Sequence, residues 1–340
     1  MRPWGRLPGD DPERDRAETA AAIEAAGIDL HPPLPAGHAH PHEHSDAGEP
    51  PVIGIVGAGA VGTALGVALS RAGWPVHAVA SRDEARRERF RNLVKVNRAF
   101  VDPEALVEEV ELIILAVPDD VIAPLAGSLR MYSGQAMIHT SGAVGAEALA
   151  PAMAAGTQIG SFHPLVAFAD TERAVEALHG ATIAIEADDQ LAALLASMAE
   201  ALGATPVRLA SGSKPAYHAA AVLAAGGFVA LLDAIAELGR AAGLDEAGAL
   251  TIYGPLIEGT LANARALGIA AALTGPITRG DVGTLGTHLD TLRDHAPGAL
   301  ELYVAAARRE IALAGDRGAL APETAARLRA LLAGALAPGD

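Results

Sequence analysis

A glycine-rich motif directly behind a short apolar run constrains the fold of this chain more than any other feature. Residues 52–56 have the β-branched composition of a buried strand, and the sequence G-A-G-A-V-G follows at once. Between a strand and a helix, its glycines permit a tight turn, close approach of the backbone to a pyrophosphate and close helix–strand packing. The following helix would offer free N–H groups to phosphates. The motif therefore predicts a dinucleotide site at Gly57, Ala58, Gly59, Ala60, Val61 and Gly62.

Strand-like and helix-like segments alternate from residue 51 to about residue 210. Such alternation implies right-handed crossovers between parallel strands and therefore a doubly wound sheet. After residue 211 the strand-like runs stop, and the remaining segments read as helices at 213–242, 245–267, 299–314 and 322–332. We therefore predict an α/β fold, in which a Rossmann-like domain with a doubly wound parallel sheet (51–210) precedes an all-α domain (211–340).

Residues 1–50 differ from the rest of the chain. They contain four arginines and ten acidic residues, several prolines and few large apolar side chains. Such a segment cannot bury enough apolar surface to offset its loss of entropy, so we predict a disordered acidic tail. Histidines alternate at positions 38, 40, 42 and 44, a pattern that could hold a divalent metal loosely. We interpret this tract as a solvated linker and predict no metal site.

Composition excludes several functional classes. The chain has 41 acidic and 25 basic residues, a net charge of −16, which argues against nucleic acids and anionic membranes as partners. It has no cysteine, so disulfides, thiol catalysis and thiolate metal sites are excluded. Residues 215–232 carry no charge, and we interpret them as a helix buried inside a helical domain. We expect a soluble, cytoplasmic protein.

The end of the second predicted strand indicates which dinucleotide binds. NAD sites usually place an acidic side chain there, whereas this chain has Ser81 and Arg82. A hydroxyl and a guanidinium suit a 2′-phosphate, and residues 82–98 contain seven basic and three acidic side chains. We therefore predict NADP(H) as the cofactor. Asp83 argues for NAD(H), and the basic run could also be only the solvated face of a helix.

Two further strand ends should reach the cofactor, because ligands of open α/β sheets bind at the carboxyl ends of the strands. The segment 116–120, A-V-P-D-D, follows one strand, and 139–142, H-T-S-G, follows the next. We predict cofactor contacts for Val117, Pro118 and Ser141. Asp119 or Asp120 most simply caps the following helix.

Lys214 and His218 are the strongest candidates for catalysis. They lie four residues apart, so a helix that begins at Lys214 places both on one face. The chain has 23 arginines and only two lysines, which suggests that an ammonium group is needed at this position. Lysine can donate a proton and its pKa falls on burial, whereas arginine stays charged. The alternative is a lysine that faces water and a histidine satisfied in the core.

Other candidates lie elsewhere in the chain. His163 is at the end of a predicted strand, either as a proton donor or merely packed beside the next proline. Arg279 and Asp281 lie in a glycine-flanked loop, where Arg279 could bind a substrate carboxylate or pair with Asp281 as a structural clamp. Tyr217, next to His218, joins Arg279 and Asp281 as a predicted substrate-binding residue.

Six motifs occur in a fixed order: the glycine motif, A-V-P-D-D, H-T-S-G, S-F-H-P-L at 161–165, Y-H-A-A-A at 217–221 and G-P-I-T-R-G-D at 275–281. Together they resemble a bacterial family in which a Rossmann-like domain precedes the domain of unknown function 2520, and the last three are specific to it. That family is similar in architecture to 6-phosphogluconate dehydrogenase-like enzymes such as ketopantoate reductase, pyrroline-5-carboxylate reductase and the β-hydroxyacid dehydrogenases. In the latter, a lysine followed four residues later by asparagine opens the second domain. Lys214 matches that lysine, and His218 replaces the asparagine.

The resemblance implies a homodimer formed through the C-terminal helices. Together with the residues above it favours an NADP(H)-dependent reductase that transfers a hydride to a small carbonyl or imine compound. Two alternatives stay open: a non-catalytic NADP(H) sensor, and a deazaflavin-dependent NADP reductase. A sensor has no need for proton donors such as Lys214, His218 and His163 beside a nicotinamide.

Overall fold

One eight-stranded sheet organises the first part of the chain. The structure, a computed structural model, describes residues 50–336, so the predicted acidic tail and its histidines lie outside the described residues except for Pro50. The strand order is β3-β2-β1-β4-β5-β6-β7-β8. The strands are β1 (Ile53–Val56), β2 (Val76–Ala80), β3 (Arg98–Phe100), β4 (Leu112–Leu115), β5 (Ala136–His139), β6 (Gln158–Pro164), β7 (Thr182–Ala187) and β8 (Thr205–Arg208).

Helices cover both faces of this sheet, as the predicted doubly wound fold requires. β1, β4 and β5 are buried along their whole length, which explains why their sequences are continuous apolar runs. Ile53 and Ile55 pack into the core on one face, while Ile113 and Leu115 pack into the core on the other. The helices are α1 (Ala60–Arg71), α2 (Glu84–Val94), α3 (Pro103–Val107), α4 (Asp119–Ser128), α5 (Thr171–Leu178) and α6 (Asp189–Ala201), with a 3-10 segment at Ala146–Ala155. The α/β fold class is confirmed.

The sheet differs from the prediction in two places. β6 and β7 pair antiparallel, with Pro164 opposite Ile183 and Gly160 opposite Ala187. β7 begins beside the end of β6. The segment between these two strands, which contains α5, therefore joins them at the same edge of the sheet and does not cross to the opposite edge. The sequence analysis also assigned no strand to β3, whose three residues are too few to show a period.

The described chain divides into two compact units between Ala221 and Val222. No strand occurs beyond Arg208 among the described residues. The helices are α7 (Lys214–Val222), α8 (Phe228–Ala241), α9 (Glu246–Leu267), α10 (Ile269–Ala272), α11 (Val282–His295), α12 (Leu300–Asp316) and α13 (Pro322–Ala335). A π-helical turn at Leu223–Gly227 joins α7 to α8, and a 3-10 turn at Pro297–Ala299 precedes α12. The predicted boundary at residue 210 stays a prediction.

The core of the second unit includes a helix that the sequence analysis missed. α11 contributes Leu285, Leu289 and Leu292, all buried, to a cluster with residues of α12 and α13. Two glycines, three threonines and two histidines give α11 a weak helical propensity. Its apolar residues nevertheless recur at helical spacing, which was the available signal.

The helical stretch Lys214–Ala241 is exposed rather than buried. It is long and apolar enough to cross a membrane by length and composition, and only 6% of its most apolar window is buried. Leu223 is 73% exposed and Val229 is 64% exposed. The described residues therefore leave these small and apolar side chains exposed, in contrast to the burial predicted for 215–232.

Candidate active site

Four parallel strands end at one edge of the sheet and bring the predicted site segments together. β1 pairs with β4, β4 with β5 and β5 with β6, all in parallel. Gly57 follows β1, Val117 follows β4, Ser141 follows β5, and His163 lies near the end of β6. The carboxyl edge of the sheet is where ligands of open α/β folds bind.

The three glycines of the loop differ in what a methyl group would meet at each position. Gly57 has φ +110°, and a methyl group there would lie 2.1 Å from the carbonyl oxygen of Ala116. A methyl group at Gly62 would lie 2.0 Å from the Gly57 oxygen, whereas one at Gly59 would have no atom within 4 Å. Gly59 is also the N-cap of α1 and makes no side-chain cap bond. Protein atoms therefore pack closely around Gly57 and Gly62, whereas the space at Gly59 is open. Close approach of a pyrophosphate to a helix N-terminus requires such an open position.

At the end of β2, the side chain of Arg82 is free while Asp83 is engaged. Asp83 caps α2 by accepting a hydrogen bond from the backbone N–H of Arg86 at 3.0 Å. Arg82 is exposed and forms no ion pair with any residue that the structure describes. The carbonyl oxygen of half-buried Ser81 accepts a hydrogen bond from Arg87. The carboxylate of Asp83, which argued for NAD(H), therefore stabilises the start of α2.

Val117 lies beside the glycine loop, with its Cγ1 3.3 Å from the methyl position of Gly57. Pro118 is the N-cap of α4, and no side chain caps this helix. The prediction that Asp119 or Asp120 is the cap is therefore wrong. Both lie in the first turn, where their charge interacts favourably with the helix dipole.

A hydrogen-bonded loop follows β5. Nδ1 of buried His139 accepts a hydrogen bond from the backbone N–H of Ser141 at 3.2 Å, so Nε2 carries the proton and donates it to the carbonyl of Gly145 at 3.0 Å. Burial, together with the charge of Lys214, lowers the pKa of His139 to about 4, so the ring is neutral at pH 7. The Ser141 hydroxyl accepts hydrogen bonds from the N–H groups of Ala143 and Val144.

Lys214 holds this loop from below. It is 1% exposed, and its Nζ donates to the carbonyl oxygens of Ser141 at 2.5 Å and Val144 at 2.9 Å. Burial lowers the pKa of the ammonium group to about 8, against the opposing effect of acidic groups led by Glu186. The alternative of a lysine that faces water is wrong.

Glu186 is a residue that the sequence analysis missed. Its buried carboxylate accepts a hydrogen bond from the backbone N–H of Ala146 at 3.1 Å and so fixes the far end of the same loop. It is the single charged residue in the apolar strand T-I-A-I-E-A, and this was the available signal.

His163, Tyr217 and His218 form a cluster around Gly142. A methyl group on Gly142 would lie 2.3 Å from Nδ1 of His218 and 2.6 Å from Nε2 of His163. The ring of His163 stands edge-on to the rings of Tyr217 and His218, with centroids 5.8 Å apart in both pairs. The helix that begins at Lys214 thus brings both Lys214 and His218 to the 141–144 loop, as its four-residue spacing suggested.

This cluster contains polar atoms without partners. Nδ1 of His163, the hydroxyl of Tyr217 and Nδ1 of His218 are buried and have no hydrogen-bond partner within the part of the chain that the structure describes. Buried polar groups are nearly always hydrogen-bonded, and an unpaired one costs about 1–3 kcal/mol. Three such atoms in one cluster indicate a place for a polar ligand. The alternative of a satisfied core histidine at 218 is therefore wrong.

Arg279 and Asp281 lie in the second unit. Asp281 caps α11 by accepting hydrogen bonds from the backbone N–H of Thr284 at 3.0 Å and from its hydroxyl at 2.6 Å. These bonds lower the pKa of the Asp281 carboxyl group. Arg279 is exposed and forms no ion pair with Asp281 or any other described residue, so the alternative of a clamp between the two is wrong.

Comparisons with known proteins identify two domains. Family models match a Rossmann-like domain at residues 39–164 and the domain of unknown function DUF2520 at residues 181–310. No curated protein matches the chain.

Several solved structures share the fold. A proposed NADP oxidoreductase from Bacteroides fragilis is 26% identical, with a TM-score of 0.64 over 77% of this chain and 98% of that one. Protein TM1727 from Thermotoga maritima is 24% identical, with a TM-score of 0.60 over 78% and 99%. A reductive aminase from Aspergillus terreus, in complex with NADPH and ethyl levulinate, is 17% identical, with a TM-score of 0.55 over 84% and 94%. The predicted resemblance is confirmed: the models of a Rossmann-like domain and of the domain of unknown function 2520 match this chain in that order.

Proposed function

We propose that this protein is an NADP(H)-dependent oxidoreductase that reduces a small carbonyl or imine compound by hydride transfer. The observation that carries the proposal is the set of unpaired buried atoms on His163, Tyr217 and His218. They lie at the same sheet edge as a glycine loop suited to a pyrophosphate. A protein that only senses the nucleotide would gain nothing from leaving these groups unpaired.

The proposed site has two parts, the glycine loop and the cluster of His163, Tyr217 and His218, and the residues after β4 interact with both. Val117 packs beside Gly57. Burial lowers the pKa values of His163 and Lys214, and the negative charge of Asp119, two residues after Val117, opposes part of this lowering at both groups. A nicotinamide that leaves the glycine loop along β4 would therefore approach the histidine cluster. Bound NADPH would supply the hydride, and the chain must supply the proton.

The described groups differ in their fitness to supply that proton. Burial and the charge of Lys214 lower the pKa of His163 to about 4, so His163 is neutral at pH 7 and a weak candidate for the acid. Lys214 is charged at pH 7, but its donors point at two carbonyl oxygens. Tyr217 and His218 contribute the groups that can reach a substrate, and Lys214 holds the loop against which they pack. Arg279 stays a candidate for a substrate carboxylate, whereas the carboxylate of Asp281 already binds Thr284.

Selectivity for NADP(H) rests on Arg82. Its guanidinium is exposed and forms no ion pair with the residues of the described range 50–336, so it can bind a 2′-phosphate through two N–H groups. Asp83 does not compete, because it caps α2. Several solved structures with this fold hold NADPH, including the Aspergillus terreus reductive aminase.

We also infer a homodimer formed through the C-terminal helices, in the cytoplasm. Large apolar side chains of the second unit are exposed, among them Leu223, Val229, Ile252, Leu256 and Leu261. A second copy of the chain would cover them. Light scattering should give the mass of a dimer, and Leu256→Glu should shift it towards the monomer. A monomeric wild-type chain would contradict this part of the proposal.

Fluorescence titration of the purified protein with NADPH and with NADH tests the cofactor. We expect tighter binding of NADPH, and we expect Arg82→Ala to abolish the preference while NADH affinity stays the same. Arg91→Ala is the matched control, because Arg91 lies on α2, the helix that follows Arg82, and pairs with Glu88 at 3.2 Å. Failure of both nucleotides to bind would refute the proposed function.

A further inference from the structure

The proposed function leaves open whether the reducible bond is C=O or C=N, and the charges around the cluster distinguish the two. Hydride transfer to an imine proceeds most readily when the nitrogen is protonated, so the site must then accommodate a cation. Hydride transfer to a carbonyl compound instead places negative charge on oxygen, which hydrogen-bond donors and a nearby positive charge stabilise.

Two groups of the cluster, Tyr217 and His163, are neutral at pH 7. Burial raises the pKa of Tyr217 to about 12, so its hydroxyl stays protonated at neutral pH and can donate a hydrogen bond. His163 is neutral as well, because burial lowers its pKa to about 4. These groups, together with Nδ1 of His218, are buried and unpaired beside Gly142.

Among the charged residues, Lys214 has the largest effect on the pKa of His163, and its charge at pH 7 is positive. Lys214 lies beneath the 141–144 loop, bonded to its carbonyl oxygens, and its charge lowers the pKa of both His163 and His139. The charge of Asp119 acts in the opposite direction, and the pKa of His163 is nevertheless lowered overall. A second cation placed beside His163 would meet the same repulsion.

The carboxylates around Lys214 are directed elsewhere. Glu186 accepts the N–H of Ala146, and the Glu147 carboxylate lies against the methyl position of Gly145. Asp119 is exposed in the first turn of α4. Among the described residues of this unit, no carboxylate forms a hydrogen bond or an ion pair with His163, Tyr217 or His218. An iminium substrate would therefore lack a counter-ion at the cluster.

On the basis of the proposed hydride transfer, we infer that the cluster binds a neutral carbonyl group, of an aldehyde or ketone, and discriminates against a protonated imine. The Tyr217 hydroxyl donates a hydrogen bond to the carbonyl oxygen and passes its proton to that oxygen as the C=O π bond breaks. Water reprotonates the phenolate. The reaction balances as carbonyl compound, NADPH and one proton giving alcohol and NADP⁺, with the hydride forming the new C–H bond.

Two unreactive probes of matched size test this inference. 2-Pyrrolidinone presents a neutral C=O group, and the cyclic amidine 2-iminopyrrolidine presents a cationic C=N group in the same ring. The full-length protein, saturated with NADP⁺, is titrated with each probe at pH 7 while the Cε1–H resonances of the histidines are followed by NMR. His163→Gln and His218→Gln assign the two resonances.

We expect the lactam to shift both resonances and to bind at least about tenfold more tightly than the amidinium. Tyr217→Phe should weaken lactam binding about three- to tenfold, and Tyr132→Phe, at an exposed tyrosine, should leave it unchanged. Equal or tighter binding of the amidinium would overturn the inference, and so would the failure of both probes to shift the resonances. The NADPH titration separates the two proposals, because a protein that binds NADPH but prefers the amidinium keeps the proposed function and loses only this inference.

Discussion

Lys214→Met removes the ammonium group that holds the loop after β5 while keeping an unbranched side chain of similar length. In the wild-type protein Nζ donates to two carbonyl oxygens, those of Ser141 and Val144. In the variant both oxygens stay buried without this donor. We expect the variant to have a lower free energy of unfolding, because it loses both hydrogen bonds that Lys214 makes to this loop.

The magnitude follows from two opposing effects. Each carbonyl left without a donor costs about 1–3 kcal/mol, or about 2–6 kcal/mol for the pair. Burial of the ammonium group lowers the pKa of Lys214 from 10.5 to about 8, which reflects the cost of burying its charge. Methionine carries no charge and avoids this cost. At about 1.4 kcal/mol per tenfold change in proton affinity, that relief is at most about 3 kcal/mol. Taking the middle of the first range, the net loss at pH 7 is about 1 kcal/mol, or about 2–4 °C in the melting temperature.

The pH dependence gives this tether a specific signature. The unfolded chain keeps the lysine proton up to about pH 10.5, whereas the folded chain releases it near pH 8. Unfolding therefore takes up a proton between these values, so the stability of the wild-type protein rises with pH in this window. The variant lacks the titrating group, and the stability difference should widen by up to about 3 kcal/mol from pH 8 to 10.5.

Urea denaturation followed by circular dichroism, from pH 7 to 10.5, measures the difference. Lys95→Met is the control, because Lys95 is the other lysine of the chain and is exposed. The reasoning is refuted if Lys214→Met and Lys95→Met unfold alike, or if the difference between wild type and Lys214→Met does not grow with pH.

Glycine substitutions separate cofactor binding from folding and from the substrate cluster. Gly59→Ala should keep the melting temperature and weaken NADPH binding about tenfold or more, because its methyl group meets no protein atom within 4 Å; unchanged affinity would contradict the site. Gly57→Ala should instead lower the melting temperature, since its methyl group would lie 2.1 Å from a carbonyl oxygen. Gly142→Ala should keep NADPH affinity and abolish binding of 2-pyrrolidinone, because its methyl group would displace His218 and His163; NMR titration would show retained probe binding if this is wrong.

Local sequence patterns predicted those features of the fold that depend on neighbouring residues. β1, the glycine loop and α1 follow from one apolar run and the glycines behind it. α7 begins at Lys214, where a lysine precedes a proline suited to a first helical turn. The antiparallel β7 and the short β3 escaped prediction, because strand direction and a three-residue strand leave no periodic signal.

The arrangement of the candidate site depends on contacts that no local pattern encodes. Lys214 bonds to Ser141, 73 residues away, and nothing in either segment specifies that pairing. The proximity of His163 to Tyr217 likewise arises only when β6 and α7 meet at one sheet edge. The lysine was recognised from its rarity in the chain, yet its burial and its two carbonyl partners needed the folded structure.

A crystal structure of the full-length protein with NADP⁺ tests the central claim most directly. The account predicts the pyrophosphate against Gly59 at the start of α1, the 2′-phosphate at Arg82, and the nicotinamide ring beside Tyr217 and His218. A nucleotide bound away from the glycine loop, or a nicotinamide that points away from these two side chains, would contradict the claim that one hydride-transfer site lies at this sheet edge.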